Sequence, residues 1–439
     1  MKIFCLFILF IFCFLIKTMA QPTNYPQIGK RCPDFCLTGP GLSSTSNNCL
    51  KDFNGKYLIL YFFSTGCTAS FSLLPEIKSI QEKFARDVQI LPIGRNNEEV
   101  KLAYQKFNTH YGLKLSVFFD SAIFNQFLIK SVPYLIWLDK KNTVRAITSP
   151  EELNEHNLSS FIQDQPFPYR DLSADALEKQ NREFDFSTPL YPDFKNYQSS
   201  AFYFSAFSKW TPDLPMMQIN RGSNDAYGNT YFQAIGVPLK LLINLVYLGS
   251  AEIYPSDPHY GQFFTYPQFV VHNKQMSQSD FATGKNVFSY WLMTPHSKEW
   301  KQYLQKQFTN DVHEFLGYRL TIKKQLVDVW QLKASPRARK LLKTKGGSKI
   351  TEGTLFSQHY QNIPVKRLIQ VLWAYHQNEP PFIDESGIKS NIDISFDAIM
   401  SDLNDVKKAL QEKGIYLVKG KKRMNVIVAE KSLLISVNW

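Results

Sequence analysis

Residues 57–64 read YLILYFFS, apolar and aromatic without alternation, which predicts a strand buried on both faces. A small-residue turn follows, then Cys67. Beyond it Leu73, Leu74, Ile77 and Ile80 recur at helical spacing and predict a helix that carries Pro75. The same alternation of types continues. Residues 88–94 predict a short strand, 98–111 a helix, and 131–139 with 144–148 an antiparallel pair about a turn at 140–142. Residues 151–162 predict a closing helix, with Ser149 and Pro150 as cap and first turn. Strands and helices interleaved in this way predict an α/β domain over residues 21–162.

The pattern then changes. Residues 163–193 are polar, charged and dotted with proline, which predicts a linker. Beyond it the chain repeats a phrase: Val237-Pro238-Leu239-Lys240 and Ile363-Pro364-Val365-Lys366 each open a helix. After a variable insert, each is followed by a second helix and a predicted strand pair. These are 300–316, 318–323 and 327–332 in the first copy, and 403–413, 415–419 and 424–429 in the second. Gly317 and Gly414 stand where a left-handed helix stop belongs. The expectation is an α+β region of two related helix–strand repeats, 194–335 and 351–439, separated by a basic loop at 336–350.

The first twenty residues belong to neither part. Lys2, an apolar run at 3–16 and the exit Thr18-Met19-Ala20 predict a signal peptide over 1–20, with no transmembrane domain after cleavage. Export places the protein in the periplasm and removes Cys5 and Cys13, leaving Cys32, Cys36, Cys49 and Cys67 where disulfides persist. Two short strands about Gly39-Pro40-Gly41 would bring Cys36 to Cys49, with Cα atoms about 5.5 Å apart if bridged. Cys32–Cys49 is the competing pair.

Length and composition suit two to three well-cored domains, since 44% of the 439 residues are hydrophobic and 15% aromatic. The eight histidines show no metal spacing, and neither a glycine-rich phosphate loop nor a G-x-S-x-G motif occurs, so no cofactor or metal is expected. The net charge of +12 gathers in part at Arg337, Arg339, Lys340, Lys343 and Lys345. Export excludes nucleic acid as the partner and leaves acidic envelope surfaces, or simply a solvated loop. Asp384 and Glu385 are expected in a solvated turn rather than in acid–base chemistry.

Candidate chemistry rests on Cys67. At the mouth of a helix, unpaired backbone N–H groups and the helix dipole favour its thiolate. The buried strand, the cysteine turn, the helix with Pro75 and the later Ser131-Val132-Pro133-Tyr134 resemble the thioredoxin fold, and residues 29–162 resemble exported thiol–disulfide oxidoreductases of the TlpA/ResA type, relatives of the AhpC/TSA peroxiredoxins. The resemblance implies catalytic roles for Cys67 and for Pro133 as a cis-proline facing it, and protein thiols or disulfides as partners. The chain departs from the family's W-C-x-x-C. Gly66 replaces the tryptophan, Ser70 the second cysteine, and Leu73 a frequent glutamate. Without a second thiol a mixed disulfide at Cys67 cannot be resolved within the motif, although the Ser70 hydroxyl could hydrogen-bond the sulfur. A one-cysteine peroxidase is the other catalytic alternative: Ser64 matches the hydroxyl of P-x-x-x-[TS]-x-x-C, but Leu60 stands at its proline. A non-catalytic envelope binding protein on a thioredoxin scaffold is the alternative from another class. The C-terminal part, through Pro380-Pro381-Phe382-Ile383-Asp384-Glu385-Ser386-Gly387, resembles a soil-associated bacterial domain of unknown function found fused behind thioredoxin-like domains.

Overall fold

A computed structural model describes residues 24–37, 48–183, 203–224, 229–270, 279–295 and 299–431. The leader at 1–20, the Gly39-Pro40-Gly41 loop and residues 184–193 of the expected linker lie outside the described residues. Among the described residues no helix is long and apolar enough to cross a membrane.

The N-terminal part begins with β1 (Cys36–Leu37) and β2 (Asn48–Cys49), an antiparallel pair that sets Cys36 directly opposite Cys49. Next come β3 (Tyr57–Phe63), α1 (Thr68–Ser72), α2 (Leu74–Lys83), β4 (Val88–Gly94) and α3 (Glu98–Tyr111). β5 (Phe118–Phe119), α4 (Ala122–Gln126), β6 (Tyr134–Leu138), β7 (Val144–Thr148), α5 (Glu155–Ile162) and α6 (Ala174–Glu183) complete it. The strands form one sheet in the order β5-β4-β3-β6-β7. β3 runs parallel to β4 and antiparallel to β6. This mixed sheet with helices on both faces is the thioredoxin arrangement.

All of β3 is buried because it is the central strand. Tyr57, Ile59, Tyr61 and Phe63 face one core with α2, α3 and α5, whereas Leu58, Leu60 and Phe62 face another with Phe35, Leu50 and α4. A strand buried on both faces has no solvent side to carry polar residues, which is why its sequence does not alternate. The expected single helix after Cys67 is divided at Leu73. Pro75 has no N–H to give the Phe71 carbonyl, so α1 ends and α2 restarts around it.

Part of the expected linker is packed instead. Phe167 lies 5.0 Å from Trp137 between ring centroids, and the Leu172 N–H donates to the Ile147 carbonyl. Its few apolar residues are spent on the N-terminal core, a pattern that composition averaged over the whole stretch conceals.

The C-terminal part contains β8 (Phe204–Lys209), β9 (Gln218–Asn224), β10 (Asn229–Pro238), α7 (Leu239–Leu248), β11 (Gln268–Val270), β12 (Val287–Pro295), α8 (Trp300–Leu316) and β13 (Tyr318–Ala334). α9 (Pro336–Leu341), β14 (Ile350–Gly353), β15 (Ser357–Ile363), α10 (Val365–Tyr375), β16 (Phe382–Asp384), β17 (Ile392–Asp397), α11 (Leu403–Glu412) and β18 (Ile415–Lys431) follow. Three sheets dominate, β8-β12-β10-β9, β11-β18-β13-β16 and β14-β15-β17. The order strand, helix, strand, helix, long strand occurs as β10-α7-β12-α8-β13 and as β15-α10-β17-α11-β18. The repeated phrase marks a β-bulge in each, between Ala234 and Val237 and between Tyr360 and Ile363. Left-handed residues sit there, Gly236 at φ 60° and Asn362 at φ 52°. At Gly236 a Cβ would lie 2.6 Å from the Pro215 carbonyl oxygen, so only glycine fits.

Two expectations are corrected here. Each predicted strand pair is one continuous strand: β13 and β18 pair antiparallel without interruption from Tyr318↔Lys431 to Ala334↔Ile415. The gaps left between the predicted strands, 324–326 and 420–423, would have to turn, but they supply no left-handed residue and lie in mid-ladder. Gly420 makes room for the Gln331 side chain, 2.5 Å from where its Cβ would stand. The expected basic loop at 336–350 opens as helix α9, because the Ser335 hydroxyl accepts from the Ala338 N–H as an N-cap and Pro336 fits the first turn.

The two parts share a packed junction. Leu355 and Ile399 join the core that contains Phe107 and Phe71. The Phe107 and Phe356 ring centroids are 5.7 Å apart, Lys106 Nζ lies 4.7 Å from the Phe356 centroid, and His110 Nε2 is 3.1 Å from the Asp402 carboxylate. Phe356→Ala is therefore expected to lower stability by about 2 kcal/mol, less than for a fully enclosed phenylalanine, and to separate the unfolding of the two parts. Chemical denaturation followed at two probes, one per part, checks this; coincident transitions with an unchanged midpoint would refute the junction's role.

Candidate functional site

β3 delivers the chain to Ser64 and the turn at Thr65-Gly66, where the Cys67 N–H donates to the Ser64 carbonyl at 3.2 Å. Gly66 is not required by the backbone, since a Cβ there would meet nothing within 4 Å. Cys67 is the extended N-cap of α1, with φ −132° and ψ 104°, and is partly exposed. Its sulfur makes no capping hydrogen bond.

Ser70 is fully buried behind it. Its hydroxyl donates to the Cys67 carbonyl at 2.7 Å or the Ser64 carbonyl at 3.0 Å, and accepts from the Ser64 N–H at 3.3 Å. The hydroxyl thus ties the two ends of the turn together through main-chain groups, rather than serving the sulfur as expected from the sequence. One proton cannot be given twice. Carbonyls strong enough to take it leave none for Cys67.

Tyr61 is a residue that sequence reasoning missed. Its place in an unbroken apolar run marked it as packing, yet its hydroxyl donates to the Ser70 carbonyl at 2.7 Å and ties β3 to α1. Burial, then the neighbouring Cys67 and Glu76, push its pKa up, so it stays a donor. A tyrosine in a strand buried on both faces has to find an acceptor, and that was the available signal.

The Val132-Pro133 peptide is cis, and Pro133 immediately precedes β6. The last β3–β6 pair is Phe62↔Tyr134, so Pro133 lies beside the end of β3 from which the cysteine turn departs. The remaining thiols are elsewhere. Cys36 and Cys49 are joined in a disulfide with Cα atoms 3.9 Å apart, closer than expected because they face each other directly across β1 and β2. Cys32 is free but only 2% exposed, in the core on the other sheet face, where burial pushes its thiol up to about 12. Leu60, at the proline position of the peroxidase pattern, is also buried in that opposite core.

The fold and site compare with known proteins as follows. Residues 28–147 match the AhpC/TSA family. The chain is 28% identical over 121 residues to the thiol-disulfide oxidoreductase ResA of Bacillus anthracis, covering 27% of this chain and 67% of the relative. It is 24% identical over 135 residues to the thioredoxin-like protein YneN of Bacillus subtilis, covering 30% and 78%. Among solved structures, a putative thiol:disulfide interchange protein DsbE from Chlorobium tepidum aligns with a TM-score of 0.27 and 21% identity, over 31% of this chain and 99% of the other.

Two expectations follow from the geometry. Ser70→Ala should destabilise the protein by about 1 kcal/mol, because the part-buried Ser64 N–H loses its acceptor and the Ser64 and Cys67 carbonyls keep only the N–H groups of Cys67 and Ser70. An unchanged thermal midpoint would show the hydroxyl to be dispensable. In the native protein at pH 8, iodoacetamide should alkylate Cys67 while Cys32, held as the buried thiol, reacts only on unfolding. Mass mapping of the labelled peptides decides the order, and equal labelling would refute the burial argument.

Proposed function

We propose that this chain is an exported, periplasmic thiol–disulfide-reactive protein that works through a single cysteine, Cys67, and takes protein disulfides or thiols as partners. One observation carries it: among the described residues Cys67 is the only free thiol that is partly exposed, and it stands at the turn leaving the end of β3, whose last pair with β6, Phe62↔Tyr134, adjoins the cis-proline. The names of the ResA relatives support the chemistry. The leader-like first twenty residues and the Cys36–Cys49 bridge support an oxidising compartment.

In this proposal the Cys67 thiolate attacks a partner's disulfide. A Cys67–partner S–S bond forms, the partner's other sulfur leaves as a thiolate, and that sulfur takes up a proton. Ser70 supplies no second thiol, so release requires a thiol from the partner or from a small-molecule thiol in the surroundings. Ser70 holds the turn that presents Cys67, and Pro133 borders the partner's backbone.

The test is capture of a disulfide-bonded protein followed on non-reducing gels. Wild type is expected to accumulate a mixed disulfide that free thiol dissolves, Cys67→Ser none, and Ser70→Cys less adduct with faster release. If Cys67 reacts no faster than free cysteine and Ser70→Cys releases nothing, the thioredoxin-like part is a scaffold for binding. Rapid sulfenic acid formation with peroxide and no disulfide capture would instead favour peroxidase chemistry.

A further inference from the structure

The 17-residue strand β13 is paired along its whole length on one side, by β18. On its other side, among the described residues, it pairs only over Trp330, Gln331 and Leu332, with β16. The Trp330 N–H donates to the Pro381 carbonyl and the Leu332 carbonyl accepts from the Glu385 N–H. The main-chain groups of these even-numbered residues therefore point away from β18. Direction alternates with period two along an uninterrupted ladder, so the N–H and C=O groups of Ile322, Lys324, Leu326 and Asp328 point to the same outer edge.

The side chains of those residues share one face, and it is covered only at its ends. Leu320, with Ile427 and Ala429 of β18, packs under α8. Trp330, Leu332 and Ala334 pack under α10 and α11. Between these layers Ile322 is 51% and Leu326 59% exposed, on a stretch from Ile322 to Asp328 about 20 Å long at 3.3 Å per residue. An exposed apolar strip beside an open edge is a template for an added strand.

Charge selects the occupant. Lys324 and Arg423 lie on this face, exposed and without an ion pair among the described residues. Lys407 and Lys419 stand 5.1 and 5.6 Å from the Trp330 ring centroid at one end of the strip. The acid in the strip, Asp328, is matched by Lys421 at 3.7 Å. A second copy of this chain pairing edge to edge would bring lysines of the two strands together, which is unfavourable.

We infer that the edge of β13 from Ile322 to Asp328 binds an extended acidic segment of a partner protein by strand addition. Apolar residues of that segment lie beside Ile322 and Leu326, and its carboxylates meet Lys324 and Arg423. This does not depend on the chemistry of Cys67.

The experiment uses the full chain and a fluorescent peptide of about ten residues in which valine and glutamate take turns at every second position with threonine between them, so that both reach one face, read by anisotropy beside a counterpart with lysine for glutamate and phosphatidylglycerol vesicles. The glutamate peptide is expected to bind at least about tenfold more tightly than the lysine one. Lys324→Pro removes an outward N–H without touching the β13–β18 ladder and should weaken binding about fivefold, the loss of one main-chain hydrogen bond. Lys324→Glu and Leu326→Ser should weaken it as well, and unchanged thermal midpoints confirm that the variants fold. The inference is overturned if the glutamate peptide fails to bind at about 1 mM, or binds Lys324→Pro and Lys324→Glu as it binds wild type. It is also overturned if vesicles bind and the peptide does not, which makes the strip a membrane contact. Self-association of Lys324→Glu without peptide binding would show that the lysine only guards the edge.

Discussion

The double-sided burial of β3 is the constraint on which the N-terminal structure depends. Its residues alternate between two cores, one under α2, α3 and α5 and one under α4 and the N-terminal hairpin. A strand so enclosed has one position and one register, and its exit is fixed with it. The turn carrying Cys67 inherits that rigidity, reinforced where Tyr61 reaches out of the strand to the Ser70 carbonyl.

That rigidity bears on what the loss of a second motif cysteine means. Ser70 occupies a buried place whose hydroxyl binds both ends of the turn, so the residue has been absorbed into the scaffold. The turn can thus be held in shape without a dithiol. Under the proposed single-cysteine chemistry capture and release would be separated, with presentation of Cys67 built into the chain and its resolution left to another thiol.

The C-terminal part is attached to this unit through side chains, since Phe356 and Leu355 reach the core beneath α3. Phe71, one residue beyond Ser70, touches Phe107, which touches Phe356, so a line of aromatic rings runs from the helix behind Cys67 to the β14–β15 turn. Within the C-terminal part the β13–β18 ladder pairs the two long strands end to end. Its midpoint pair is Leu326↔Arg423, where the helical layers leave the sheet uncovered.

The sequence by itself determined the elements that depend on short stretches. The unbroken apolar run of β3, the helix after Cys67, the glycine stops at Gly317 and Gly414, and a thioredoxin-like order of strands were legible because period and cap chemistry are local. Cys67 was legible as the reactive candidate for the same reason. Only the tertiary structure decided where the Ser70 proton goes, because that depends on which carbonyls the turn brings within reach. It alone decided that Cys36 rather than Cys32 pairs with Cys49, since β1 and β2 had to find their register first. The gap Lys324-Gln325-Leu326 reads as a turn because charge marks solvent and turns alike. Solvent reaches it in mid-strand, where two helical layers on the same sheet face stop short of each other, and no local pattern carries that information.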